Sequence, residues 1–524
     1  MAHNSARYII YSLLFKGIFI VLTSFLRCLS VQCLPHNLLS RPLTAVRYGL
    51  STLCLATVFS SSAALALPSS NVDKALKANK INSEALSAVT IPLGSHGKSA
   101  FMNADALINP ASTMKLVTTY AALELLGPAF QWKTEFFTDG TLKDGVLNGN
   151  IYLKGGGDPK LNMERLWLLL RDLRANGVQH ISGDLILDRS HFAPPPVAVF
   201  DDDKNDQNKP FLVEPDSLLI NFKSQRLIVR GEASGAQVMM EPPIGSIEII
   251  NNVKLQAGTA CTNPNIKYQP KDDGHTLTLT VSGDIAAGCS SQHYLALLDH
   301  ARYSAGVVRS IWQEMGGTIL GNDMLGATPK TARLLVRAYS PDLVEVIRDI
   351  NKYSNNTMAK QLFLSIGARF RNAADSDDAA AARRVIHALF KRKNILTEGL
   401  FVENGSGLSR SERISARQLG RMLEAAWQSP YAAEFISSLP IVAMDGTMRR
   451  RLRNSQLVGQ AHIKTGTLKN VRAIAGYSRD INGDAWAVVA IVNHAQPWGA
   501  ASILDQVLLD LYSQPKRKAI PLQR

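Results

Sequence analysis

Cysteine is scarce, with 5 in 524 residues, and Cys28, Cys33 and Cys54 fall in an N-terminal stretch with the form of a leader. Only Cys261 and Cys289 remain beyond it. Without cysteine or histidine companions at ligand spacing they argue against a zinc site. In an oxidising compartment they suggest one disulfide, the other reading being two buried thiols. The chain also lacks an internal repeat, a C-terminal membrane anchor and any nucleic-acid recognition motif or aromatic-basic platform. Lys154-Gly155-Gly156-Gly157-Asp158 is glycine-rich, but it has neither the Gly-Lys-Ser/Thr ending nor the following helix of a phosphate loop and reads as a tight turn. No metal and no other cofactor is called for.

Acidic residues are outnumbered, 43 against 57 basic, for a net charge of +14. Arg7, Lys16, Arg27, Arg41 and Arg47 lie in the acid-free leader, so the mature chain keeps +9. That surplus suits anionic envelope polymers or peripheral membrane contact, and a merely soluble basic surface explains it equally. The apolar run from Tyr48 to Leu67 follows Arg41 and Arg47 and ends in Ala64-Leu65-Ala66 before Leu67-Pro68, the form of a signal peptide cleaved after Ala66. An earlier run, Tyr8 to Leu26, is broken by Lys16 and is read as lying upstream of the true start; the alternative is a short membrane segment. Length and hydrophobic content (46%) are ample for more than one core.

Chemistry concentrates in the stretch Pro110 to Tyr120. Pro110 in the first turn, apolar Leu116, Val117, Tyr120, Leu123 and Leu126, and the stop Gly127-Pro128 predict a helix, with Asn109 as its cap. Ser112 and Lys115 then share one face. Backbone N–H groups in a first turn favour the negative charge that a serine nucleophile must develop, and a lysine takes the serine proton only if burial and a second cation keep it neutral. Ser-x-x-Lys alone is usually a solvated helix face. Two further stretches change its meaning: Ser354-Asn355-Asn356 between helices, and Lys464-Thr465-Gly466-Thr467 at the end of a strand-like run. Together, in this order, they form the signature set of penicillin-interacting serine enzymes.

Along the chain, residues 131–300 alternate short strands (Lys133 to Phe137, Asn150 to Leu153, Asp184 to Leu187, Thr276 to Leu279) with one amphipathic helix, Leu161 to Asn176. This predicts a strand-rich insertion between two parts of a catalytic domain, 67–130 and 301–515, with a leader 1–66 and a basic tail 516–524. The loop from Ala193 to Lys209 is long and acidic, with Asp201, Asp202, Asp203 and Asp206, and meets either a cationic substrate group or solvent. From His300 onward helices dominate: Tyr303 to Met315, Pro341 to Lys352, Met358 to Phe370, Ala379 to Lys391 and Ala416 to Trp427. Strands follow, Gln460 to Lys464, Val471 to Tyr477 and Ala485 to Val492, the last two joined at Asn482-Gly483 as a hairpin, and then a helix from Ala500 to Tyr512.

These motifs, with Gly155-Gly156-Gly157-Asp158-Pro159, Asn404-Gly405-Ser406-Gly407-Leu408-Ser409-Arg410 and Met444-Asp445-Gly446-Thr447, resemble the class C penicillin-binding proteins, the type-4 D-alanyl-D-alanine carboxypeptidase/endopeptidase family, over nearly all of the mature chain. The resemblance implies an α/β (α+β) serine β-lactamase/DD-peptidase-like transpeptidase fold: an antiparallel sheet flanked by helices, split by a large insertion after the nucleophile helix. It implies a periplasmic enzyme that hydrolyses D-Ala-D-Ala ends and D-Ala–diaminopimelate cross-links of peptidoglycan and is acylated by β-lactams at Ser112. Lys115 would be the base, Ser354 a proton relay and Asn356 a holder of Lys115 and the substrate amide. Lys464, Thr465, Gly466 and Thr467 would bind the substrate. By position Asp206, with Phe211 beside it, and Arg410 resemble the residues that hold the diaminopimelate end of the stem peptide, and Cys261 and Cys289 match a paired-cysteine pattern. A serine β-lactamase shares the three motifs; a silent peptidoglycan-binding protein would not need Ser112, Lys115, Ser354, Asn356 and Lys464 complete.

Overall fold

The computed structural model describes residues 67–196, 200, 208–258, 261 and 264–515. The leader with its cleavage point, the basic tail and Asp201, Asp202, Asp203 and Asp206 lie outside the described residues.

A five-stranded antiparallel sheet forms the base, in the order Ala461–Leu468, Val471–Arg479, Ala485–Asn493, Leu86–Pro92, Ala100–Met102. Its central strand, Ala485–Asn493, reads as one apolar run because both its faces are covered. Successive side chains alternate between the faces. Val488, Ala490 and Val492 pack under the first helix, Ser70–Ala78, and the last, Ala500–Tyr512, while Ala487, Val489 and Ile491 face the helical lobe. Gly483 has the positive φ of 83° that the tight connection Asn482-Gly483 requires.

The helical lobe holds the nucleophile helix Met114–Leu126 against Leu343–Tyr353, Asn356–Phe370, Asp378–Arg392 and Ala416–Trp427. From Met114 to Leu123 every residue of the nucleophile helix is buried, Lys115 included. A helix covered all round is a central post, not a solvated surface helix.

The insertion has its own core and runs further than the pattern implied. The sequence pattern places residues 301–339 in the returning catalytic part. Tyr303, Val308, Ile311 and Trp312 of the helix His300–Glu314 instead pack with Phe136, Leu153 and Leu170, and Arg333–Tyr339 pairs antiparallel with Lys133–Thr138. Helical periodicity looks the same in either domain; the cross-strand pairing moves the return to about Tyr339. Among the described residues that antiparallel pair belongs to a five-stranded sheet, beside which the insertion has a four-stranded sheet and two three-stranded ones, one of these carrying the parallel pair Ile247–Gln256 and Leu277–Ala286. Cys261 and Cys289 are joined by a disulfide that closes 28 residues of sequence.

Closing a loop of that length removes denatured-state entropy worth about 3 kcal/mol. Cys289→Ser is therefore expected to lower the unfolding midpoint of the intact protein in oxidising buffer, measured by denaturant titration. An unchanged midpoint would show that the small sheets hold this region unaided.

Candidate active site

The nucleophile turn is built from three adjacent residues with different tasks. Asn109 accepts from the Ala111 N–H (2.9 Å) and donates to the Ser409 carbonyl (2.8 Å), so it tethers the turn rather than capping the α-helix. Ala111–Thr113 form a 3-10 turn, and the α-helix begins only at Met114. Ala111 sits at φ 47°, a conformation costing a non-glycine residue on the order of 1 kcal/mol, offset here by the tethers on either side.

Lys115 is fully buried, and its amine lies 3.0 Å from the Ser112 hydroxyl and 2.7 Å from Asn356 Oδ1, with the Ser406 carbonyl as a third partner. Two of these partners are carbonyl-type acceptors; the hydroxyl alone can also donate. A neutral amine has two N–H groups and one lone pair. With its N–H groups on Asn356 and Ser406, the lone pair faces Ser112. Burial, aided by the nearby cations Lys464 and Lys360, holds this amine well below the usual lysine range, although the Glu412 carboxylate works the other way.

Ser354 and Asn356 come from one helix-to-helix junction. Ser354 ends Leu343–Tyr353 in the left-handed conformation (φ 59°), Asn355 turns back to accept from the Met358 N–H (3.0 Å), and Asn356 opens the next helix. Thus the middle residue caps while its neighbours serve the cleft. The Lys464 amine donates to Ser354 (2.8 Å) and to the Thr465 carbonyl (2.7 Å); burial lowers it to about 7. Lys464 lies within the edge strand Ala461–Leu468 rather than at its end, a correction to the sequence reading. The strand continues through Gly466 and Thr467 because glycine allows close approach: a Cβ at Gly466 would stand 2.9 Å from the Pro110 carbonyl. Thr465 shares a hydrogen bond with Thr447 (2.8 Å), and Thr467 is exposed.

The remaining residues lie at the rim. Arg410 donates to Asn470 (3.0 Å) and lies over the Phe200 ring, 5.6 Å from its centre. Phe211 is exposed and meets Asn356 only through its carbonyl (3.4 Å). Beside Arg410 opens a cavity of about 550 Å³ lined by Lys360, Phe363, Glu403 and Ser409. Sequence reasoning missed Glu412, wholly buried, which accepts from the Gly405 N–H (3.1 Å) and whose carboxyl burial raises to about 7. It also missed the Ser406 carbonyl and Thr447. The stretches 404–410 and 444–447 stood out as motifs, but a backbone acceptor and a buried acid leave no side-chain pattern to read. Among the described residues no group of three or more His, Cys, Asp or Glu stands together to hold a metal ion.

An antiparallel sheet packed against helices, with a buried lysine on a serine at a helix start and a second lysine on the facing edge strand, defines a serine acyl-transfer enzyme of the penicillin-interacting class. The chain belongs to the D-Ala-D-Ala carboxypeptidase 3 (S13) family, whose pattern matches residues 69–508, and is a serine-type carboxypeptidase. It is similar to the D-alanyl-D-alanine carboxypeptidase DacB of Haemophilus influenzae, 25% identical over 425 residues that make up 75% of this chain and 81% of that protein. It is 28% identical to the D-alanyl-D-alanine carboxypeptidase of an Actinomadura species over 408 residues, 74% of either chain. In fold it resembles the crystal structure of penicillin binding protein 4 from H. influenzae, with a TM-score of 0.71 at 22% identity, covering 84% of this chain and 99% of that one. The complex of that protein with a β-lactam superposes with a TM-score of 0.67 at 21% identity, over the same shares of the two chains.

Two outcomes follow from the geometry. Gly407 has φ 79°, and a Cβ there would stand 2.0 Å from the Ala111 carbonyl and 2.7 Å from the Ser112 nitrogen. Gly407→Ala is thus expected to slow Ser112 acylation by about tenfold or more, in keeping with misplacement of a reacting group, measured with a fluorescent penicillin; an unaffected rate would mean the turn is not held there. Lys464→Gln removes a cation that depresses Lys115. With Lys115 as the proton acceptor, the acylation rate would rise with pH through that group's pKa, and the variant's acid limb is expected at higher pH than the wild type's. A limb that stays in place would contradict the coupling.

Proposed function

We propose that this DD-peptidase cleaves D-Ala-D-Ala termini and D-Ala–diaminopimelate cross-links of peptidoglycan through an acyl-enzyme on Ser112. The observation that carries the proposal is the buried amine of Lys115, shared between the Ser112 hydroxyl, Asn356 and the Ser406 carbonyl.

Ser112 Oγ attacks the carbonyl carbon of the D-alanine on the acyl side, and its proton passes to Lys115 Nζ. The N–H groups of Ser112 and Thr467 receive the oxyanion; a donor of this kind contributes about a hundredfold or more in rate. As the carbon–nitrogen bond breaks, Ser354 hands its proton to the departing amine and takes in return the one Lys115 holds, which leaves Lys115 neutral again. Water then attacks the ester with Lys115 taking its proton, and Lys115 returns that proton to Ser112 Oγ as the acid leaves. Lys464 and Thr465 hold the carboxylate of the departing residue, Gly466 lets the substrate strand lie close, and Asn356 steadies both Lys115 and the substrate amide. On the acyl side Arg410, Phe211 and Asp206 hold the diaminopimelate end, with the adjoining cavity to receive it.

β-Lactams acylate the same serine. The leader 1–66, with its apolar run from Tyr48 to Leu67, supports export, which makes the periplasm the place of action.

The test compares the mature protein from Leu67 onward with Ser112→Ala, on fluorescent penicillin and on purified muropeptides. Stable labelling, D-alanine release and dimer cleavage, all lost in the variant, are expected. Rapid penicillin turnover without muropeptide cleavage would identify a β-lactamase instead, and a folded protein doing neither would be a binding module.

A further inference from the structure

The segment Met444–Arg453 meets the Lys464 strand where Thr447 bonds Thr465, and it is unusually basic: Arg449, Arg450, Arg451 and Arg453 fall within five residues. Its backbone is fixed from several sides. Thr447 shares a hydrogen bond with Thr465 on the edge strand (2.8 Å), Asp445 pairs with Lys352 (2.6 Å) and accepts from the Ile441 N–H (2.7 Å), and the Met448 side chain is buried. Gly446, at φ 53°, passes so near the Lys352 carbonyl that a Cβ would stand 2.6 Å from it.

The local acids are already engaged. Asp445 is held by Lys352, and Asp505 on the last helix is held by Arg451. Arg449, Arg450 and Arg453 remain exposed, and among the described residues none of the three is in an ion pair; Arg453 donates to the Arg449 carbonyl (3.0 Å). Three exposed cationic groups therefore stand two to six residues beyond Thr447, which meets the edge strand. Tyr353 and Met444, both exposed, stand on the segments that flank it.

This end of the cleft is where the departing amine goes. Ser354, the proton donor proposed for it, is bonded to Lys464, and the Arg410 rim lies at the far end of the edge strand, beside Asn470. A single departing D-alanine ends at the carboxylate held by Lys464 and Thr465. A departing cross-linked peptide continues past Thr447, and it carries further carboxylates.

We propose that Arg449, Arg450 and Arg453 form a subsite for the acidic groups of a departing peptide, which makes this enzyme selective for cross-linked over single-strand substrate. The proposal rests on the reading of Ser112 as the acylated nucleophile. Rim charges of this kind act on encounter and are screened by salt, so the preference fades as ionic strength rises.

The experiment uses the mature protein and the triple variant R449E/R450E/R453E, with fluorescent penicillin, a pentapeptide muropeptide and a cross-linked muropeptide dimer, at low and high salt. Penicillin labelling and D-alanine release from the pentapeptide are expected to stay within about twofold, while kcat/KM for dimer cleavage falls about tenfold at low salt and loses its salt dependence. Dimer cleavage unchanged by the substitutions, or reduced no more than pentapeptide cleavage, overturns the subsite while leaving the nucleophile in place. A wild-type protein that takes no penicillin on Ser112 overturns both. Should charge reversal abolish labelling through misfolding, R449Q/R450Q/R453Q decides by the same ratio of dimer to pentapeptide cleavage.

Discussion

One buried amine organises the catalytic half of this protein. Charged lysine is costly to bury, and Lys115 is fully buried in the helical lobe, with its amine on the Ser112 hydroxyl and the oxygens of Asn356 and Ser406. Burial pushes the amine well below the usual lysine range, toward its uncharged form. A neutral amine has an open lone pair, and of the three groups bonded to it among the described residues the Ser112 hydroxyl is the one that can donate. In the proposed reaction, then, reactivity comes from packing: the post-like helix that could not stand in solvent is what would make its lysine a base.

The elements around that amine hold it from independent directions. The junction at Ser354 and Asn356 belongs to two helices, the carbonyl of Ser406 to a loop buttressed by Glu412, and Lys464 to the edge strand of the sheet. Gly407 and Gly466 are the two places where those elements come closer to the nucleophile turn than any side chain would permit. The insertion adds Pro210–Asp216 along the same cleft: Thr357 bonds the Val213 carbonyl (3.3 Å), and the Asp216 N–H donates to Gln361 (3.0 Å). A strand-rich domain with a core of its own therefore contributes a wall to the site without touching the reacting hydroxyl.

The nucleophile helix was legible because Pro110 and Gly127 bracket an apolar run, and the hairpin because Asn482-Gly483 has one favoured geometry. Spacing brought out Ser112 with Lys115 and Ser354 with Asn356, since an i,i+3 pair or a capped junction fixes where side chains point. Three features were hidden. The helix His300–Glu314 has the same periodicity whichever core receives it, so the extent of the insertion needed the strand pairing of Arg333–Tyr339. Lys464 reads as a strand end because Gly466 and Thr467 look like a terminus, although close packing on Pro110 carries the strand through them. Glu412 shows nothing in sequence: an acid between Ser411 and Arg413 becomes a buried buttress only when the 404–412 loop closes over it.

Everything proposed for Ser112 requires that Lys115 be uncharged at working pH, and that is directly measurable. In protein labelled at the lysine side chains with 15N and 13C, the Lys115 amine can be followed by NMR across pH and assigned by its loss in Lys115→Arg. It is expected to titrate well below the ordinary lysine range, as its burial and the nearby Lys464 and Lys360 dictate. Titration in the ordinary lysine range, near 10.4, would contradict the account, because a charged amine on Ser112 has no lone pair with which to take its proton.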